Sequence, residues 1–213
     1  MDNIIKTWNM EKKILFLDLD GTLIETASGK TFPVGVWDMR FKMDVFEKLK
    51  KFYIENDVLI VHIVSNQGGV ELGYTSYGRM NSKIQYVARC LEEYIEKDSN
   101  LKRDVCVSYM FCYKNDKSDP NRKPNIGMLE SAMKEDLGTL EDYDPSFEIE
   151  LEGGRFLTFL NELYPDIDEN KYKEMCLMIG DASGLPGQFS DSDKKCSENF
   201  GIDYMDVNDF LKS

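Results

Sequence analysis

The sequence predicts an α/β fold, a doubly wound parallel sheet in one domain over residues 1–213. Short apolar runs without polar alternation, such as Ile14-Leu15-Phe16-Leu17, suit strands buried on both faces. Between them stand longer stretches with apolar residues at three- and four-residue spacing, the period of an amphipathic helix. The two kinds of segment alternate, as repeated β-α units do. At 213 residues, 42% hydrophobic and 12% aromatic, the chain can bury one substantial core, and a second full domain is not expected.

Strands are expected at about 13–18, 58–64, 105–112 and 175–180, with a short one near 202–205. Phe41, Val45, Leu49 and Phe52 mark a helix before the second strand. Met80, Ile84, Val87, Ala88, Leu91 and Ile95 mark a longer one before the third. Another helix is expected from Pro124 to about Leu137, with the proline near its first turn. The stretch 138–171 is acidic and irregular, with a helix expected over Arg155–Leu163. No repeat, linker or low-complexity block interrupts the pattern.

Composition narrows the function classes. No apolar stretch approaches a membrane span and the first residues lack a signal-like apolar region, so a soluble, intracellular protein is expected. Five cysteines without a C-x-x-C pair read as reduced thiols, and a single histidine leaves little for a zinc site. With 39 acidic against 26 basic residues the net charge is −13, which argues against coating a long stretch of nucleic acid. A few local cations could still grip one strand end, because exposed charges are screened beyond roughly 8–10 Å. A small basic patch on an acidic body is the expectation.

Four segments carry chemistry, each after or beside a buried run. Ile14 to Leu17 delivers Asp18 and Asp20 onto a glycine turn, Asp18-Leu19-Asp20-Gly21-Thr22-Leu23. Residues at i and i+2 share a side of a strand, so both carboxylates are expected to point at one spot past its C-terminal end. Close carboxylates repel unless a cation or shared proton intervenes, so the pair reads as a magnesium site, an acid/base site, or both. The second strand runs into Ser65-Asn66-Gln67-Gly68-Gly69, where a hydroxyl and glycine-rich backbone can donate to a phosphoryl oxygen, though a plain turn looks the same. Arg122-Lys123-Pro124 precedes a helix, where lysine offers a compact positive charge to phosphate. The fourth strand ends in Gly180-Asp181, a third carboxylate for a hard oxygen site suited to Mg²⁺.

The D-x-D-G-T-L run with the later serine, lysine and aspartate resembles the haloacid dehalogenase superfamily of phosphotransferases, which implies a Rossmann-like sheet. Finer motifs resemble its polynucleotide kinase 3′-phosphatase family. Ser28-Gly29-Lys30-Thr31-Phe32-Pro33 with Trp37-Asp38-Met39-Arg40 matches that family's flap. Ser65 stands in place of threonine in T-N-Q-x-G-I, Arg122 to Met128 fit R-K-P-x-x-G-M, and Phe189-Ser190, Asp193, Asn199 and Gly201 fit its C-terminal tail. The chain departs from the family in having Leu185 where arginine is usual, in a longer 138–171, and in lacking a G-x-x-x-x-G-K-[ST] kinase loop. It is therefore expected to be a phosphatase without the kinase half. The short interval between Asp18 and Ser65 leaves no room for a large cap domain.

The resemblance implies a Mg²⁺-dependent phosphatase acting on DNA strand ends that carry a 3′-phosphate, in end repair, with a nuclear location in a eukaryote and a cytoplasmic one otherwise. It implies Asp18 as nucleophile, Asp20 as general acid and base, and Asp18, Asp181 and the Asp20 carbonyl as metal ligands. Ser65, Asn66 and Lys123 are implied to hold the phosphoryl group. Lys30, Arg40, Arg79 and Arg122 are candidates for the strand's backbone phosphates. Two other readings stay open: a small-molecule phosphomonoesterase of the histidinol-phosphate type, and a non-catalytic scaffold that binds DNA ends. The absence of a Cys/His zinc loop, common in the small-molecule relatives, favours the DNA-end reading.

Overall fold

The computed structural model describes residues 12–138, 160 and 163–213. Its frame is a five-stranded parallel sheet of β1 (Ile14–Leu17), β4 (Ile60–Asn66), β5 (Val107–Cys112), β6 (Cys176–Gly180) and β7 (Asp203–Asp206). The order is β5-β4-β1-β6-β7, so the strand carrying Asp18 is central. Ile14 pairs with Ile60 on one side and Cys176 on the other, and the register runs unbroken to Leu17. Between β1 and β4 lie a two-stranded antiparallel hairpin, β2 (Ile24–Glu25) with β3 (Arg40–Phe41), and helix α1 (Met43–Glu55). That hairpin, rather than a folded cap domain, fills the interval.

Alternation along the strands divides the core. Leu15 and Leu17 of β1, Val61 and Ile63 of β4, and Leu177 and Ile179 of β6 face one layer. Helices α1, α2 (Tyr77–Glu96) and the C-terminal α6 (Val207–Lys212) cover it. Ile14, Phe16, Ile60 and Met178 face the other, covered by α3 (Gly127–Asp136), α4 (Glu169–Glu174) and α5 (Ser192–Phe200). Each fully buried leucine or phenylalanine contributes about 1.5–3 kcal/mol, so β1, wholly buried on both faces, is the stiffest support available to Asp18.

Most expected elements are present, and the differences have local causes. Phe41 belongs to β3 instead of α1, because it pairs with Ile24 and the Lys42 N–H bonds the Leu23 carbonyl. Pro124 lies ahead of α3, in a turn with a cis Lys123–Pro124 bond, and not in the helix's first turn. The Asn125 N–H bonds the Arg122 carbonyl and the Gly127 N–H bonds that of Pro120, so the turn uses the backbone that an earlier helix start would need. The helix expected over Arg155–Leu163 lies outside the described residues, except for Leu160, which is buried, and Leu163. The five cysteines are free thiols. No helix among the described residues is long and apolar enough to cross a membrane.

Candidate active site

The site forms where β1, β4 and β6 end. Asp18 follows β1, and its N–H still bonds the Ile179 carbonyl at 3.0 Å, so the sheet ladder fixes its backbone. Lys123 Nζ donates to Asp18 Oδ1 at 2.6 Å, to Asp193 Oδ1 at 2.8 Å and to the Val64 carbonyl at 2.7 Å. Those three acceptors use all three ammonium protons. Burial alone would lower the lysine's pKa, but Asp18 and Asp193 outweigh it and hold it above the ordinary value. Lys123 therefore stays charged.

Three carboxylates, those of Asp18, Asp181 and Asp193, offer oxygens within 4.8 Å of one another. Burial pushes the Asp18 carboxyl well up; Lys123 pulls it back, and Asp193 and Asp181 push it up further. Asp181 is pushed up to about 6, first by burial and then by Asp193. Three acids against one lysine leave surplus negative charge among hard oxygen donors, which suits Mg²⁺. Two missing side chains permit the crowding. A Cβ on Gly21, whose φ is +89°, would lie 2.0 Å from Asp181 Oδ2, and one on Gly180 would lie 2.3 Å from Asp193 Oδ2.

Asp20 does not join this cluster, contrary to the expectation that both motif aspartates point at one spot. Strand β1 stops at Leu17 and Asp20 already lies in the turn, so strand alternation no longer governs it. Its Oδ2 accepts from Gln67 Nε2 at 2.6 Å and its Oδ1 from Lys83 Nζ at 3.3 Å. The same Gln67 amide donates to Ser65 Oγ at 2.8 Å, which leaves the buried serine's own proton free for an incoming oxygen. The Asn66 side chain is not free to hold a phosphate. Its Nδ2 donates to the Lys123 carbonyl and its Oδ1 accepts from the Lys123 N–H, both at 2.9 Å, so it braces the lysine's backbone. The Gln67 N–H, one of the donors expected after Ser65, is taken by the Cys112 carbonyl.

The four candidate strand-gripping cations divide. Lys30 and Arg79 are exposed, with no ion pair among the described residues. Arg40 is paired with Glu25 at 2.7 Å across the hairpin, and Arg122 Nη1 donates to the Lys114 carbonyl at 2.8 Å, bracing a loop. In the flap, Asp38 accepts from the Ser28 N–H and hydroxyl and from the Val34 N–H, which hold its carboxyl below the usual range. Phe32, carried by that loop, meets Phe189 edge-on at 6.1 Å. Sequence reasoning missed three residues: Gln67, Lys83 and Asp193. Asp193 sits in the first turn of α5, and its other oxygen accepts from the Ala182 N–H at 3.1 Å. Its signal was its place in the C-terminal tail pattern; that of Lys83 was a lysine on the apolar stripe of α2.

The sequence profile of the family described as polynucleotide kinase 3 phosphatase matches residues 13–149. The chain belongs to this family. Its polynucleotide kinase 3 phosphatase segment holds Asp18, Asp20, Ser65 and Lys123, while Asp181 and Asp193 lie beyond the matched residues. The bifunctional polynucleotide phosphatase/kinase of Schizosaccharomyces pombe is 30% identical over 201 residues, 94% of this chain. The histidine biosynthesis bifunctional protein HisB of Campylobacter jejuni is 32% identical over 141 residues, 66% of the chain. This family member spans only 38% and 36% of those relatives' lengths.

Among solved structures, a D,D-heptose 1,7-bisphosphate phosphatase from B. bronchiseptica, complexed with magnesium and phosphate, aligns at a TM-score of 0.53. Its identity is 15%, with 90% of this chain and 78% of that one covered. A putative HAD-like phosphatase from Mesorhizobium loti aligns at 0.52 and 17% identity, covering 93% and 84%. At these identities the likeness is one of fold. The matched profile gives the family, and the two solved structures share this chain's fold.

Proposed function

We propose that the chain, acting as one phosphatase domain, removes the 3′-phosphate from DNA strand ends and so prepares them for repair. The observation that carries this reading is the rim of the site. Phe32 is 68% exposed, Tyr74 83% and Phe189 87%, in the β2–β3 hairpin loop and the loops that follow β4 and β6. Exposed Lys30 and Arg79 stand on the flap and at the start of α2. Exposed aromatic rings, and cations without an ion pair among the described residues, suit the bases and backbone of a single strand more than an enclosed metabolite. The polynucleotide relative also matches 94% of the chain, against 66% for the histidine-pathway one.

In this reading Asp18 attacks phosphorus with Oδ2, because Lys123 occupies Oδ1. The P–O bond to the 3′-oxygen breaks, and that oxygen takes a proton from Asp20, leaving an aspartyl phosphate on Asp18. Asp20 then accepts a proton from water as the water attacks phosphorus, which releases phosphate and restores Asp18. Ser65 Oγ donates to a phosphoryl oxygen, and Lys123, its three protons engaged, fixes Asp18 and adds positive charge beside the phosphoryl group. The Asp18 and Asp181 carboxylates and the Asp20 carbonyl would hold Mg²⁺, since both Asp193 oxygens are already engaged. Bound there, Mg²⁺ supplies positive charge that offsets the phosphoryl group's.

Phosphate release from 3′-phosphorylated DNA, 5′-phosphorylated DNA and histidinol phosphate tests the proposal. The expected order of kcat/KM puts the 3′-phosphate first by at least ~100-fold, a gap that polar recognition at a site readily supplies. Preference for histidinol phosphate would instead support the small-molecule reading, which the HisB match favours. Binding of 3′-phosphorylated DNA without Mg²⁺-dependent release would support the scaffold reading.

A further inference from the structure

Lys83 interrupts the apolar face of α2. Met80, Ile84, Val87 and Leu91 bury that face, and the Lys83 side chain is 2% exposed among them. Among the described residues its ammonium has one hydrogen-bond or ion-pair partner, Asp20 Oδ1 at 3.3 Å, and the Asp20 side chain is 52% exposed. Burying an ammonium against a single half-solvated carboxylate costs folding energy. A methionine of similar length would continue the stripe at no such cost. A group that weakens the core yet reaches the reaction site points to a role in the reaction.

The geometry points to Lys83 as a positioning residue for Asp20, an inference that rests on the proposed acid and base role of that carboxylate. The turn after β1 cannot by itself fix a side chain that has left the sheet. Lys83 holds one oxygen from a packed helix, and Gln67 holds the other from the end of β4 at 2.6 Å. Each oxygen keeps a second lone pair for the travelling proton. Gln67 also bonds Ser65 Oγ, so the proton carrier and the phosphoryl clamp share one brace.

A general acid matters most when the leaving oxygen is a poor leaving group, and this separates positioning from packing. The test compares kcat/KM for 3′-phosphorylated DNA, whose leaving group is an alkoxide, with that for p-nitrophenyl phosphate, whose phenolate leaves without help. Lys83→Met is expected to lower the DNA value by ~30-fold or more and the aryl value by less than ~3-fold, with thermal stability equal to or above wild type. Lys83→Arg is expected to restore most of the DNA value. Lys83→Gln should show the same substrate split, and it serves as the test if the methionine variant does not fold. Equal losses on both substrates, or no loss on either, would overturn the inference. A wild-type chain that releases phosphate from neither ester would overturn the phosphatase reading and this inference with it.

Discussion

Along β4, His62 and Ser65 serve two polar networks with different terms of construction. His62 lies within the sheet and is stacked on Phe16. Its Nδ1 meets Ser108 Oγ at 2.5 Å and its Nε2 meets Asp136 Oδ2 at 2.8 Å, while Tyr172 OH closes on the same Asp136 oxygen at 2.6 Å. Written as serine, histidine, aspartate, that chain looks like hydrolytic machinery. Yet all four side chains are buried and each polar end points at another. At the strand's end, Lys123 faces three carboxylates, and the Asp181 carboxylate accepts no hydrogen bond from another side chain among the described residues. A network in which donors and acceptors match ties layers together; one with surplus charge at a sheet edge awaits a ligand.

Breaking each network should therefore give opposite readouts. Asp18→Asn is expected to cut phosphate release by more than ~10³-fold with little change in thermal unfolding, since the attacking oxygen is lost while Lys123 keeps Asp193. Retained turnover would remove Asp18 from the nucleophile's role. Lys123→Met leaves the buried Asp18 and Asp193 without their paired cation and should cost about 3–5 kcal/mol in urea unfolding. Asp136→Ala strips both His62 and Tyr172 of an acceptor and should cost about 2–3 kcal/mol, with kcat/KM within ~3-fold of wild type because nothing at the site touches it. A large loss of activity there, in protein shown to be folded, would erase the distinction between the two networks.

The smallest effect sharpens the comparison through pH. Glu135 stands beside the internal network with Oε2 buried and without a hydrogen-bond partner among the described residues, and burial pushes its carboxyl up to about 7. A carboxyl raised above its unfolded value binds its proton more tightly when folded. Its contribution to stability is fully present below the unfolded value of 4.5 and is lost as pH rises through about 7. Asp18 and Asp181 slope the same way, so the contribution of Glu135 is the difference between wild type and Glu135→Gln. Unfolding measured with a chelator between pH 4.5 and 7 should show a shallower decline in the variant.

How much of this was legible in the sequence depended on range. The apolar runs before Asp18, Ser65 and Asp181 are local patterns of buried strands, so the sheet and its reactive edge could be read directly. What faces what across that edge could not. Lys83 meets Asp20 across 63 positions, and Lys123 meets Asp18 across 105. No periodicity encodes such pairs. Asp20 was misplaced because strand alternation was extended past the last paired residue. Asn66 was taken for a phosphate donor because an amide beside a motif serine gives no local sign that Lys123's backbone will claim both its ends.

Gly180 carries a lesson for sorting relatives of this chain. One methyl group there would lie 2.3 Å from Asp193 Oδ2 and force Asp193 to shift, while Asp18, Asp20, Ser65, Lys123 and Asp181 all remained in the sequence. Such a chain would keep every residue of the proposed mechanism and is expected to release less phosphate than wild type. In this fold, a glycine with no reacting group marks the proposed site as clearly as the acid packed against it.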